Sequence, residues 1–540
     1  MKPLPTAIRA GVESRVGDAD IIDRHDADRS TIKIGPKHSL VATEGEQALL
    51  NAGVEIYQHG GCLVRPIVET ATASRDRTTK TARLIKLDVT HLRDLLDKNA
   101  DWQAFNYREK KWVSKTPTKD IAETILARNG QWRFPVCAGI ITAPTMRADG
   151  SLLTRAGYDP TTGLLLIAPP VVPRVPNEPT RADALQALTV LEELLVEFPF
   201  ADAVSKSVAL SALLTPIARG AFPVAPMHVF DAPTAGSGKS YLADVAASVA
   251  IGQLMPVMAA GRNEEETEKR LGTALMTGQP LISIDNVTGG LGGDALCQAI
   301  ERPIVEIRIL GKSKQMRIEA RGTTFFASGN NIIIVGDVCR RAITCTLNPG
   351  IERPELREFK SDPVGKVMSN RGDYIAAALT VCRAYFVAGR PQKAKRLASF
   401  EGWSDTVRSA LLWLGKADPV ASMEKARDLN PERSELFAML EAWADVIGVG
   451  SDHRRTLGEV IKTASKSIAG STEPEHPELY AAVQTVAGKK QKADAASLGR
   501  YLQRYKDSVV NFKRFRVNSK DKGGSQWWVE KIDHGGSEGG

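Results

Sequence analysis

The chain has no C-x-x-C pair: its six cysteines (Cys62, Cys137, Cys297, Cys339, Cys345 and Cys382) are scattered, which excludes a zinc ribbon and a disulfide framework. Thiols so arranged suit a reducing, cytoplasmic setting. No run of 18 apolar residues occurs, so no membrane span and no membrane partner is expected. The first twenty residues, MKPLPTAIRAGVESRVGDAD, lack the apolar core of a secretory signal. With 540 residues, 43% hydrophobic and 25% charged, the composition is that of a globular protein of about two to four domains. A formal net charge of +8 favours a polyanionic partner.

Residues 1–35 read as a charged, flexible arm, and residues 36–167 as a small α+β domain. Within it, residues 45–57 suggest a helix, Gly60-Gly61 a hairpin turn, WQAFNY-REK-KWVSK (102–115) a second hairpin, and DIAETILARNG (120–130) a helix closed by glycine. GYDPTTGLLLI (157–167) reads as a turn and a strand. Residues 168–180 carry five prolines in 13 residues, which makes a stiff linker and the clearest domain boundary. Leucines 185, 188, 191, 194 and 195 then recur at helical spacing.

Residues 228–250 run strand, glycine-rich loop, helix. The loop Pro233, Thr234, Ala235, Gly236, Ser237, Gly238, Lys239, Ser240, followed by Tyr241, matches the phosphate-binding pattern G-x-x-x-x-G-K-[ST] except for Pro233 at its first position. Glycines let backbone N–H groups converge on phosphate oxygens, and a helix N-terminus adds its positive end. ATP is the expected cofactor, with Lys239 on its β- and γ-phosphates and the Ser240 hydroxyl on Mg²⁺. The apolar run PLISIDN (280–286) ends in Asp285, placed to hold Mg²⁺ through water. Asn286 follows where a catalytic glutamate often stands, and an amide orients water without taking its proton. The strand TTFFASGNN (323–331) offers Asn330 as a γ-phosphate sensor. GDVCRR (336–341) offers Arg340 or Arg341 to a neighbouring subunit's phosphate.

DAPTAGSGKS, LISIDNV, FFASGNN and GDVCRR followed by ERPELREF (352–359) together resemble the AAA+ helicase modules of phages and mobile elements, relatives of superfamily 3 and pox-virus-type primase-helicases and, more distantly, of MCM. The resemblance covers about residues 181–420, with departures at Pro233 and Asn286. It implies a P-loop AAA+ α/β core with a helical lid over 181–450. It also implies a homohexamer that threads single-stranded DNA and hydrolyses ATP, and a channel hairpin. EIRIL (306–310) and QMRIE (315–319) stand where that hairpin is expected, with Lys312 and Lys314 at its tip for DNA phosphates. In the WSDTVRSALLWLG helix, Arg408 is either a sensor-like arginine or a member of an ion pair.

Residues 451–533 read as a C-terminal winged helix: two helices, a basic helix over 494–510, and a two-stranded wing with a DKGG turn. Eleven Lys/Arg against three Asp lie between Lys489 and Lys522. Arg500, Arg504, Lys513 and Arg516 are the candidate contacts to duplex DNA. Residues 534–540 read as a disordered tail. The expected function is an ATP-dependent DNA helicase or translocase in replication of a phage or mobile element, with primase or other replication proteins as possible partners. The alternative is a DNA-binding AAA+ ATPase that loads or remodels replication proteins without unwinding. HDAD (25–28) is a weak D-x-D match for a primer-synthesis site, and it falls in the polar arm, where solvated carboxylates are expected.

Overall fold

The structure, a computed structural model, describes residues 29–74, 77–261, 263–308, 315–391, 394–489, 492–518 and 525–532. HDAD, Lys312, Lys314, the DKGG turn and the 534–540 tail lie outside the described residues. The chain divides into two compact units, one of residues 1–65 with 86–135, the other of 66–85 with 136–540. The division falls between Pro135 and Val136 rather than at the proline-rich stretch. That stretch stays with the second unit because it packs there: Val175 is buried, and a Cβ on Gly372 would lie 2.0 Å from the Val171 carbonyl oxygen.

In the first unit, Thr31–Ile34 is not part of an arm but a strand, parallel to Asp101–Asn106. Its alternation explains this: Ile32 enters the core opposite Trp102 while Thr31 and Lys33 face solvent. Lys111–Ser114 pairs antiparallel on the other side of Asp101–Asn106, as the hairpin spacing predicts. Three helices, His38–Asn51, Val89–Asn99 and Lys119–Ala127, close the core around Leu49, Leu92, Ile121 and Trp132. The first of them starts and stops earlier than the 45–57 expected. Asp88 caps the second by accepting from the His91 amide at 2.9 Å. Gly60-Gly61 turns the antiparallel strands Tyr57–His59 and Cys62–Ser74.

The second unit is mixed α/β around a five-stranded, wholly parallel sheet. Its order is Val257–Ala259, Leu281–Val287, Thr324–Asn330, Met227–Ala232, Ala342–Thr346. Strands buried on both faces need near-continuous apolar sequence, which MHVFDA and LISIDNV supply. The helices Ala203–Ile217, Lys239–Ile251 and Arg371–Val387 are buried almost all round and share this core. His228 sits inside it, its Nε2 3.0 Å from Ser211 Oγ, and burial pushes its pKa down to about 3. Residues 157–166 form two paired strands rather than a turn and one strand.

A separate apolar core gathers Trp443, Leu498, Leu502, Phe515 and Val529. The helix Pro431–Val446, placed with the ATPase segment by the sequence, contributes Met439, Leu440 and Trp443 to it. Leu457–Ala464, Pro477–Ala487 and Ala495–Arg504 are its other main helices, and Lys513–Val517 pairs antiparallel with Gln526–Lys531. The basic helix ends at Arg504, six residues short of expectation, and Asp507, Asn511 and Phe512 then take positive φ. Trp527 is buried and Trp528 half-buried, as strand alternation requires.

Candidate nucleotide site

The strand Met227–Ala232 is followed by the loop 233–238 and the helix Lys239–Ile251. Two glycines make the loop's path possible: Gly236 has φ +73° and Gly238 φ +96°, both in the region that side chains avoid. Ser237 Oγ donates to the Thr234 carbonyl at 2.7 Å and lies 3.1 Å from Thr234 Oγ1, which holds the turn closed. The first amides of the helix are left unpaired by geometry and add the positive end of its dipole.

Lys239 is buried at the head of that helix. Its ammonium donates to the Thr234 carbonyl at 3.1 Å and to Asn330 Oδ1 at 2.6 Å. Burial lowers its pKa, opposed by the charges of Asp231 and Asp285. Asn330 arrives because Thr324–Asn330 lies between the other two strands, with Asn330 in register with Ala232. Asn331 completes the brace, its amide donating to the Ala232 carbonyl at 3.1 Å and its side chain to the Pro233 carbonyl at 3.2 Å.

Asp285 lies near the end of the neighbouring strand and accepts a hydrogen bond from Ser328 Oγ. Asn286 follows with φ +54° in a register shift between Ile284 and Val287, and it is exposed. Ser240 is likewise exposed. Two further carboxylates flank the site. Asp231 accepts from the Ile332 amide at 2.9 Å, and Asp244 from the Met255 amide at 2.8 Å. Burial raises both pKa values, and the charge of Asp285 adds to the rise at Asp244.

A segment from Arg353 to Asp362 crosses the loop. A Cβ on Gly236 would stand 2.9 Å from Glu355 Cβ, so only glycine fits beneath it. The segment is pinned at Glu197, whose carboxylate accepts the Lys360 and Ser361 amides at 2.8 and 2.9 Å. It is pinned again where Tyr241 donates to Asp362 Oδ1 at 2.6 Å. Phe198 stacks on Tyr241 with centroids 6.2 Å apart and approaches Gly238.

Arg340 and Arg341 do not reach this loop within the chain. Arg341 is buried, donating from Nε to Glu301 Oε2 at 2.7 Å and from a terminal nitrogen to the Asp337 carbonyl at 2.8 Å. Arg340 is 39% exposed and holds Asp337 at 2.9 Å. Arg408 is buried, paired with Asp418 at 2.6 and 2.8 Å. In the C-terminal core, Arg504 pairs with Glu432 at 2.9 Å, Lys513 with Glu441, and Arg516 with Asp507 at 2.7 Å. Arg500 is exposed and donates only to Ser497 Oγ, at 3.0 Å, among the described residues. It shares an open groove with Gly499, Gln503, Lys506 and Asn518.

Sequence reading missed Ser328, Asp231 and Asp244. Ser328 carried a usable signal, since it stands two residues before Asn330 on a strand and therefore points to the same face. Asp231 and Asp244 gave no such signal, because a carboxylate at the end of a strand or inside a helix is ordinarily solvated.

Among the described residues, no group of three or more His, Cys, Asp or Glu is placed to hold a metal ion, and no helix is long and apolar enough to cross a membrane. No family model matches the chain. No curated protein matches it either. Similar solved structures include an apo form of the NrS-1 C-terminal region, 11% identical with a TM-score of 0.32, covering 90% of this chain and 98% of that one. A structure described as the SCCmec type IV Cch active helicase is 9% identical with a TM-score of 0.28, covering 88% and 97%. A JCV helicase bound to a substituted N-phenylacetamide compound is 14% identical with a TM-score of 0.18, covering 49% and 73%. At these values none of them assigns the chain to a family.

Proposed function

We propose that this chain is an ATP-dependent DNA helicase or translocase of the AAA+ class, acting in DNA replication of a phage or mobile element. The single observation that carries the reading is the loop 233–240. Two left-handed glycines, a helix N-terminus and one buried ammonium converge beside the carboxyl ends of a parallel sheet, where such sheets bind ligands. The strand order, with Thr324–Asn330 between the loop-bearing strand and the Asp285 strand, supports the sensor role of Asn330.

ATP fits these residues. Lys239 spends its hydrogen bonds on a loop carbonyl and an amide oxygen, weak partners that phosphate oxygens would replace with charge-assisted ones. Mg²⁺ fits as well, because it needs only one or two protein ligands besides phosphates and water, here the Ser240 hydroxyl and Asp285. When bound, the ion supplies charge neutralisation at the transferring phosphoryl group. Asp285 would be oriented by Ser328, and Asn330 would position the γ-phosphate once Lys239 lets it go. Arg340, partly exposed just before the sheet's edge strand Ala342–Thr346, is the better of the two arginines for a neighbour's site in a homohexamer. Arg341 is committed to Glu301. Lys312 and Lys314 would touch single-stranded DNA in the channel. The ATPase segment would carry a helical lid, and the C-terminal core would be a winged helix that binds duplex DNA.

The test is nucleotide-dependent sizing combined with unwinding of a forked DNA, for wild type and Lys239→Ala. The reading requires assembly and unwinding with ATP in the wild type and neither in the variant. A wild type that fails to bind adenine nucleotide would end it.

A further inference from the structure

The first unit contains no part of the nucleotide site, yet one of its surfaces is unusual. On the three-stranded sheet, Ile32 and Trp102 face the core, so Lys33, Gln103 and Phe105 face outward. Trp112 stands directly across from Phe105 on the neighbouring strand. Tyr107, at the turn, is 84% exposed, and Trp112 and Phe105 are 39% and 37% exposed. The three rings form one cluster: Phe105 meets Tyr107 edge-on at 5.2 Å and Trp112 edge-on at 5.5 Å. Lys33 Nζ lies 4.9 Å from the Trp112 ring centre. Arg108 and Lys110 stand exposed on the turn between the strands, while Lys111 is the one paired, with Glu109 at 2.9 Å.

Leaving Tyr107 largely in water, with Phe105 and Trp112 more than a third exposed beside it, forgoes burial that the fold could have used, and contiguous exposed apolar surface marks a binding site. The charge around it decides the partner. Protein interfaces are depleted in lysine, whereas this patch is rimmed with cations. Exposed ring faces set among Lys and Arg are the combination that stacks unpaired bases and holds the phosphates between them. A duplex keeps its bases stacked on each other and offers no such faces. We propose that this aromatic face, built from Phe105, Tyr107 and Trp112 with Lys33, Arg108 and Lys110 at its rim, binds single-stranded DNA, taking two or three nucleotides at roughly one base per ring. The site is independent of the nucleotide loop, so it stands or falls apart from the ATPase reading.

The experiment uses the full chain without nucleotide, with a labelled oligothymidylate and an iododeoxyuridine version for photo-crosslinking. Ultraviolet adducts are expected on Tyr107 or Trp112. Tyr107→Ala, at a position so exposed that folding is untouched, should weaken binding of the oligomer roughly tenfold, and adding Trp112→Ala should weaken it further. Tyr107→Phe should restore the affinity, and blunt duplex should bind all variants alike. Adducts confined to other segments together with unchanged affinity in Tyr107→Ala would overturn the proposal. So would a Tyr107→Ala variant that alters oligomeric size while leaving affinity for the oligomer intact, which would make the face a protein interface.

Discussion

Lys239 Nζ donates to Asn330 Oδ1 at 2.6 Å, joining the glycine-rich loop to the end of the adjacent strand across the carboxyl edge of the sheet. In this state the ammonium and the amide satisfy one another, and a bound triphosphate would have to separate them. Lys239→Ala is therefore expected to abolish measurable nucleotide binding by calorimetry. Asn330→Ala should leave affinity within about threefold and slow hydrolysis roughly 100-fold, the pattern of a contact made mainly in the transition state. Equal loss of affinity in both variants would mean that Asn330 serves the ground state.

Ser328 tests the metal end. Its hydroxyl donates to Asp285 and makes no other side-chain hydrogen bond among the described residues. Ser328→Ala should slow hydrolysis about 10-fold and raise the Mg²⁺ concentration needed for half-maximal rate, because an unheld carboxylate binds the ion less well. A magnesium titration that superimposes on wild type would remove Ser328 from the site.

The two arginines after the sensor strand should separate. Arg341 is buried against Glu301, which without it keeps only Ser399 and the more distant Arg340, so Arg341→Ala should destabilise the protein by about 1–3 kcal/mol in denaturant titration. Arg340 is half exposed, and Arg340→Ala should change stability by less than about 1 kcal/mol. If it serves a neighbour's phosphate, hydrolysis falls only where the protein is assembled, so activity against protein concentration is the measurement.

His228 makes a pH prediction. Its folded pKa is about 3 because the ring is fully buried, against about 6.5 in the unfolded chain. Between those values the unfolded state holds a proton that the folded state does not, so stability falls as pH falls. The loss from pH 6.5 to 5 should be about 2 kcal/mol. His228→Gln cannot titrate and should show a shallower decline over that window, read from denaturation midpoints. Parallel curves would mean that another group dominates.

Salt dependence checks the C-terminal core. Arg500 is free to meet phosphate, whereas Lys513 is 17% exposed and held by Glu441. Arg500→Ala should lower duplex affinity and reduce the slope of log affinity against log salt by about 1, and Lys513→Ala should do neither. A flat salt response in the wild type would argue that this core binds protein.

Much of the site was legible because its chemistry is local. A strand, a loop with glycines two apart, and a helix beginning at lysine are fixed by neighbours in sequence, and Pro233 through Ser240 took that form. The hairpin that ends in Gln315–Glu319 was legible for the same reason, since alternation sets which face each residue takes, although its first strand, Ile304–Arg308, begins two residues before the expected 306–310. What stayed hidden depends on distant partners. Arg340 and Arg341 look equivalent in sequence, and only Glu301, forty residues away, buries one of them. Thr31–Ile34 is too short to announce a strand and becomes one because Asp101–Asn106 offers it an edge.

By itself, the sequence determined the strand, glycine-rich loop and helix of residues 227–251 and the alternation of the longer strands, since these follow from backbone preference and from periods of 2 and 3.6 residues. Tertiary structure alone decided that the chain divides before Val136 and that Ser328 serves Asp285. It also decided that Phe105, Tyr107 and Trp112 meet in solvent while Trp102 does not. Those outcomes turn on which surfaces find one another across long loops, a choice made by packing and charge rather than by any single residue's propensity.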